Sequence, residues 1–138
     1  MTTSTAGGVL IRPRYSRNYE KMADGFDAAI RECRSASNAN SGLESEMRLA
    51  EACAIHFRSV ANQARFVVAA RMSRLASVEP ILRSELDLAK RLWKLQQADS
   101  RLGFEASNQY AYIPMDLAEK VLCCRDLLDR WLPAMRAK

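Results

Sequence analysis

The stretch from Leu43 to Ala76, LESEMRLAEACAIHFRSVANQARFVVAARMSRLA, decides the fold. Its apolar residues recur every three or four positions, beginning with Leu43, Met47 and Ala50, and it contains no glycine or proline. This is the period of an α-helix with one apolar face. At about 1.5 Å per residue such a helix is about 50 Å long. Many of its apolar positions are alanines, which let a neighbouring helix approach closely. We therefore predict one long central helix.

The segments on either side of this helix also have helical periods. Residues 17–35 form the first, with Met22 on the apolar face that we expect to be buried. Ser77 is the expected N-cap of a third helix, which buries Trp93 and ends near Arg101. Because only a short turn separates this helix from the central one, we expect the two to pack as antiparallel neighbours.

Prolines mark the expected helix ends. Pro80 is expected in the first turn of the third helix, Pro114 begins a last helix, and Pro133 ends it. The sequence therefore predicts an all-α fold, an antiparallel bundle of about four helices over residues 17–133. Residues 1–16 are basic and rich in small polar side chains, and we expect them to form a flexible, disordered N-terminal arm.

The composition limits the function classes. Hydrophobic residues make up 49% and charged residues 27%, as in an ordinary globular domain, and no apolar run reaches the roughly 20 residues of a membrane span. The N-terminus has no signal-peptide pattern, so we expect a cytoplasmic protein. The net charge of +5 invites a nucleic-acid role. However, residues 1–18 carry three arginines and no acid, and the rest of the chain mixes both signs, which argues against strong phosphate binding.

The cysteines argue against a metal site. They are Cys33, Cys53, Cys123 and Cys124, none of them in a Cys-x-x-Cys pair, and His56 is the only histidine. Adjacent cysteines on a helix point about 100° apart, which suits no single metal ion. We expect Cys53 and Cys124 to be small buried hydrophobic residues. The sequence indicates no cofactor.

The central helix carries a row of polar side chains, the first candidate site. His56 lies on one side of the helix, and Arg58, Asn62 and Arg65 lie on another. Such a row can line a groove and hydrogen-bond a polyhydroxylated or anionic ligand. It can equally be a solvated helix face with ordinary hydrogen bonds.

The second candidate site is the segment 99–112, which shows no helical period and is rich in amides, charges and aromatic rings. Arg101, Glu105, Asn108 and Tyr110 are the residues that we expect to contact a ligand or another domain. In the alternative interpretation, the acids of the segment pair with arginines and its aromatic rings only cap the end of the bundle.

Three segments together resemble a known class of proteins. They are NYEKMADGF (18–26), HFRSVANQARF (56–66) and DSRLGFEASNQYAYIP (99–114). In that order they resemble the C-terminal helical region of large bacterial proteins that are similar to glycoside hydrolases, in which a (β/α)-barrel precedes a helical domain. The resemblance covers about residues 15–132.

The resemblance implies a supporting role in carbohydrate metabolism. The catalytic carboxylates of such enzymes lie at the ends of barrel strands, and no stretch of this chain matches those strands. We therefore expect a non-catalytic accessory domain, or a truncated C-terminal remnant, that packs on a catalytic barrel and rims its substrate cleft. The alternatives are a self-standing helical interaction module that pairs with a second copy of itself and, third, nucleic-acid binding through the basic arm.

Overall fold

The computed structural model describes residues 13–36, 41–102 and 113–137. These residues form four helices and no strand. The helices are α1 (Pro13–Ala36), α2 (Ser41–Arg71), α3 (Leu75–Ala98) and α4 (Pro114–Asp126), the last continuing through a π-helical turn (Leu127–Trp131) into a short α5 (Leu132–Arg136). The predicted all-α fold is confirmed.

Side-chain pairs between the helices show that successive helices are antiparallel. Between α1 and α2, Glu20 pairs with Arg65 and Asp27 with Arg58, so residue numbers rise on one helix as they fall on the other. Between α2 and α3, Glu51 pairs with Arg91 and Ser59 with Glu85. The same antiparallel order holds between α3 and the C-terminal helices. Within the described ranges each helix packs on its neighbours in the chain: α1 on α2, α2 on α3, and α3 on α4 with its continuation.

Two apolar clusters form the core. One joins α2, α3 and the C-terminal helices, with Val78, Leu82 and Leu132 almost fully buried. The other contains Leu117 and members of α2 and α3, namely Ile55, Leu88 and Leu92. Burial of a side chain of this size stabilises the fold by about 1.5–3 kcal/mol. The core is therefore distributed along α3, which lies between α2 and α4.

The start of α1 and the end of α2 differ from the prediction. Helix α1 begins at Pro13, four residues before the expected start, because proline is preorganised for the first helical turn. Helix α2 ends at Arg71 rather than Ala76. Ser73 adopts a left-handed conformation (φ 51°), and the next amide, of Arg74, donates to the carbonyl of Ala69 at 2.9 Å. This is a Schellman motif made without glycine, so sequence rules do not indicate it.

Two prolines lie inside helices. Pro80 is the sixth residue of α3, since that helix begins at Leu75 and Ser77 is not its cap. Pro133 does not end the last helix, which continues to Arg136. A proline ring clashes with the carbonyl four residues earlier in an α-helix, and the preceding π-helical turn widens the backbone at that point. The helix therefore continues through Pro133 without interruption.

The expected buried faces are correct in part. Cys124 is buried as predicted, whereas Cys53 is half-buried. Met22 and Trp93, which we expected in the core, are 46% and 45% exposed. The helix faces are rotated slightly from the predicted ones, so that residues such as Ala23 and Leu92 take the buried positions.

Candidate functional site

A buried carboxylate on α3 is the centre of a polar cluster between three helices. Glu85 is only 6% exposed. One of its carboxylate oxygens accepts a hydrogen bond from the Ser59 hydroxyl and pairs with the Lys120 ammonium. The other accepts from the Asn62 amide at 3.0 Å. Both oxygens are satisfied, as a buried charge requires.

The other members of the cluster connect α2 to α4. The Lys120 ammonium donates to the Ser59 hydroxyl at 2.8 Å, and the Gln63 amide donates to the same oxygen at 3.2 Å. Asn62 also donates to the Ser84 hydroxyl at 3.1 Å. Although α2 and α4 make no close backbone contact, these side chains form a polar bridge between them beside the apolar clusters.

A serine next to a lysine also occurs in some hydrolases, and here the geometry opposes that chemistry. Ser59 is 4% exposed, so a substrate carbonyl cannot reach its oxygen. Its proton is directed at Glu85, and the Lys120 ammonium is held by the same carboxylate rather than acting as a base. The polar cluster therefore holds helices together.

Beside the polar cluster lies a cleft of about 510 Å³ between α2 and α4, with α3 as its floor. Its walls are mostly apolar and include Phe66, Ile81 and Leu127. Burial raises the pKa of the Cys124 thiol in one wall to about 11, so this group stays neutral. The lining residues are Asn62, Gln63, Phe66, Val67, Ile81, Leu82, Glu85, Asp116, Glu119, Lys120, Cys123, Cys124 and Leu127.

Two of the predicted site residues on α2 pair with α1. Arg58 donates to the carboxylates of Asp24, at 3.0 Å, and Asp27, and Arg65 donates to Glu20. These ion pairs therefore join α1 to α2.

The other two predicted residues on α2 are Asn62 and His56. Asn62 belongs to the polar cluster around Glu85. His56 lies at the surface against Phe57, and partial burial followed by the Lys120 charge lowers its pKa below the ordinary 6.5. Arg58, Asn62 and Arg65 nevertheless line one cleft of about 570 Å³, together with residues of α3 such as Ser77 and Ser84, and His56 lies apart from it.

Arg101 is the only one of the predicted contact residues in segment 99–112 that the structure describes. Its guanidinium donates to the Asp99 carboxylate at 2.7 and 2.9 Å, and to the Ser45 hydroxyl on α2. This pairing, which the alternative interpretation predicts, holds the pKa of Asp99 well below its usual range. Glu105, Asn108 and Tyr110 lie outside the described residues.

Sequence reasoning missed the two charged residues of the cluster, although a signal was present. Glu85 lies three residues from Leu82 and three from Leu88, both buried. Lys120 likewise lies between Leu117 and Cys124 at helical spacing. A charge on an apolar helix face indicates a buried partner, because an unpaired charge is costly there.

The outer face of α4 carries apolar side chains that no described helix covers. Met115 is 72% exposed and Leu122 is 69% exposed, and they lie seven residues apart, with Ala118 between them on the same face. We call Met115, Ala118 and Leu122 the α4 stripe. Contiguous exposed apolar surface of this kind is typical of a protein contact site.

Two classes of site find no support in the described ranges. No three side chains of the metal-ligating types lie together there. None of the described helices combines the length and hydropathy needed to cross a bilayer. Comparison with protein families, curated proteins and solved structures finds no match for this chain.

Proposed function

We propose that this chain is a non-catalytic helical interaction module that pairs with a second copy of itself through the α4 stripe. The exposure of Leu122 and Met115 carries the proposal. Two copies that meet along this face remove four large apolar side chains from water. Each contributes up to about 1.5–3 kcal/mol, against an association cost of at least about 4 kcal/mol. We therefore expect a reversible dimer of modest affinity.

The charges near the stripe favour a second copy as the partner. Residues 1–18 carry +3 of the net charge of +5, and the remaining residues carry only +2. Between Pro114 and Trp131 four acidic and three basic side chains nearly cancel. The α4 face is therefore a region where two copies can approach without their net charges opposing contact.

Sedimentation of the purified chain from about 10 µM to about 1 mM tests the proposal. We expect the average mass to rise with concentration, and the melting temperature to rise with it. Leu122→Lys should remove both effects. Leu49→Lys is the matched control, because Leu49 is also exposed, at 50%, but lies on α2. A monomer throughout this range, or equal behaviour of the two variants, would contradict self-pairing.

A second proposal is the accessory domain of a carbohydrate-active enzyme. It is supported by the three sequence segments quoted above and by the exposed position of Arg101, whose side chain is 74% accessible. In this case the partner is a catalytic barrel, and Arg101→Ala should weaken its binding. A coding sequence for alternating strands and helices directly upstream of the Met1 codon would favour this proposal over self-pairing.

A further inference from the structure

The cleft beside the polar cluster has the size of a small-molecule site. Its volume of about 510 Å³ lies inside the range of about 300–1,000 Å³ that ligand pockets occupy. On its α2 side the cleft extends over residues 62–67, about 8 Å of helix. Phe66 in its wall lies against Trp131, with ring centroids 6.1 Å apart. This length suits a compact organic molecule better than a partner helix of several turns.

The charges that line the cleft favour a cation. It contains three carboxylates and a single ammonium, that of Lys120, and no arginine. Glu85 and Lys120 neutralise each other. Asp116 and Glu119 remain, and neither forms an ion pair with a described residue, although the Asp116 carboxylate also accepts from the Ile113 amide at 3.1 Å. At positions three apart on α4 these two carboxylates lie on one face.

The remainder of the cleft favours an apolar body. Phe66, Ile81 and Leu127 present carbon surface, and the Cys124 thiol beside them is neutral. An anion would meet the Asp116 and Glu119 carboxylates, neither of which pairs with a described cation, and a strongly polar molecule would lose its hydration without replacement. A molecule with a cationic end and an apolar end complements both the carboxylates and the apolar walls of the cleft.

We propose that this cleft is a binding site for a small amphipathic organic cation, an amine that carries an alkyl or aromatic group. The ammonium lies against Asp116 and Glu119, and the apolar group packs on Phe66, Ile81 and Leu127. This inference does not rest on the α4 stripe, so failure of self-pairing does not contradict it. Glu119 lies between the two surfaces, four residues after Met115 and three before Leu122.

Octylammonium, octanoate and octanol are the probes, because they share one apolar chain and differ in charge. Trp131, whose ring contacts Phe66 in the cleft wall, is a fluorescence reporter in a Trp93→Phe background, and calorimetry gives the affinity. We expect octylammonium to bind at least about tenfold more tightly than octanoate, with octanol between them. Amide shifts in ¹⁵N spectra should concentrate on residues around 62–67 and 116–127.

Glu119→Gln with Asp116→Asn should weaken octylammonium binding about tenfold and leave octanol binding unchanged. Both replacements keep side-chain oxygens, so the acceptor for the Ile113 amide is retained. Asp129→Asn is the control, an exposed acid of the same segment that does not line the cleft. Equal binding of octylammonium and octanoate would overturn the proposal, as would an unchanged affinity in the double variant or shifts outside the cleft.

Discussion

The ion pair between Glu85 and Lys120 gives the sharpest test of the fold, because its two members are buried to different depths. The Glu85 side chain is 8% exposed and that of Lys120 is 23% exposed. Replacing Lys120 with Met leaves a buried carboxylate without a counter-charge, although Ser59 and Asn62 still donate to it. Breaking a buried ion pair costs about 3–5 kcal/mol. Because two hydrogen-bond donors to Glu85 remain, we expect Lys120→Met to lower the free energy of unfolding by about 3 kcal/mol.

The converse substitution, Glu85→Gln, should cost less. The Lys120 side chain has a long flexible stem and can turn its ammonium toward water, so we expect a loss of about 1–1.5 kcal/mol. In the double variant no charge is left unpaired. We expect it to lose about 2 kcal/mol, which gives a coupling energy of about 2 kcal/mol between the two residues.

Urea unfolding followed by circular dichroism measures all four proteins. With a slope of about 1–3 kcal/mol per molar urea, Lys120→Met should lower the midpoint by about 1 M or more. Asp126→Asn, which breaks an exposed pair with Arg130, is the control and should change stability by less than about 0.5 kcal/mol. A greater loss for Glu85→Gln than for Lys120→Met, or strictly additive losses, would refute the reasoning from unequal burial.

Three other predictions concern single residues. Ser73→Gly should raise the free energy of unfolding by about 0.5–1 kcal/mol, since glycine adopts the left-handed conformation without strain. Ser73→Ala should not raise it, and urea unfolding measures both variants. NMR titration should give His56 a pKa below 6.5, and this pKa should rise in Lys120→Met. Because the imidazole of the unfolded chain is protonated at a higher pH than that of the folded chain, the free energy of unfolding should fall as the pH drops from about 6.5 through the pKa of the folded state. Arg101→Gln should return the pKa of Asp99 toward its usual range in carboxylate NMR spectra. Because the pKa of Asp99 is depressed in the folded state, the stability that this pair provides is present above about pH 4 and is lost on acidification. Arg101→Gln should therefore lose less stability in acid than the unmodified chain.

The number of helices could be predicted from their apolar period, and the antiparallel packing of α2 and α3 from the short turn between them. The wrong helix ends occur where the backbone conformation, rather than the pattern of apolar side chains, determines whether the helix continues. The turn after α2 uses Ser73 where sequence rules expect glycine, and the π-helical turn lets the last helix pass through Pro133. Neither conformation can be predicted from the types of residue at these positions.

The polar cluster could be predicted only in part. The spacing of Glu85 among leucines indicates that it is buried, but its partners depend on the register between helices. Asn62 and Lys120 are 58 positions apart in the chain and meet Glu85 only because α2 and α4 both pack on α3. The two arginines expected to bind a ligand are paired with α1 for the same reason.

Packing in chain order has a consequence for how the molecule opens. Within the described part of the chain α1 contacts α2 alone, through Phe57, Arg58 and Arg65, so detaching it breaks one interface and leaves α2, α3 and α4 in place. The amide hydrogens of α1 should therefore exchange with solvent in a partial opening, well before those of α3, whose release requires global unfolding. Contacts between sequence neighbours also have a small loop-closure cost, so this fold should form rapidly, one hairpin of helices after another.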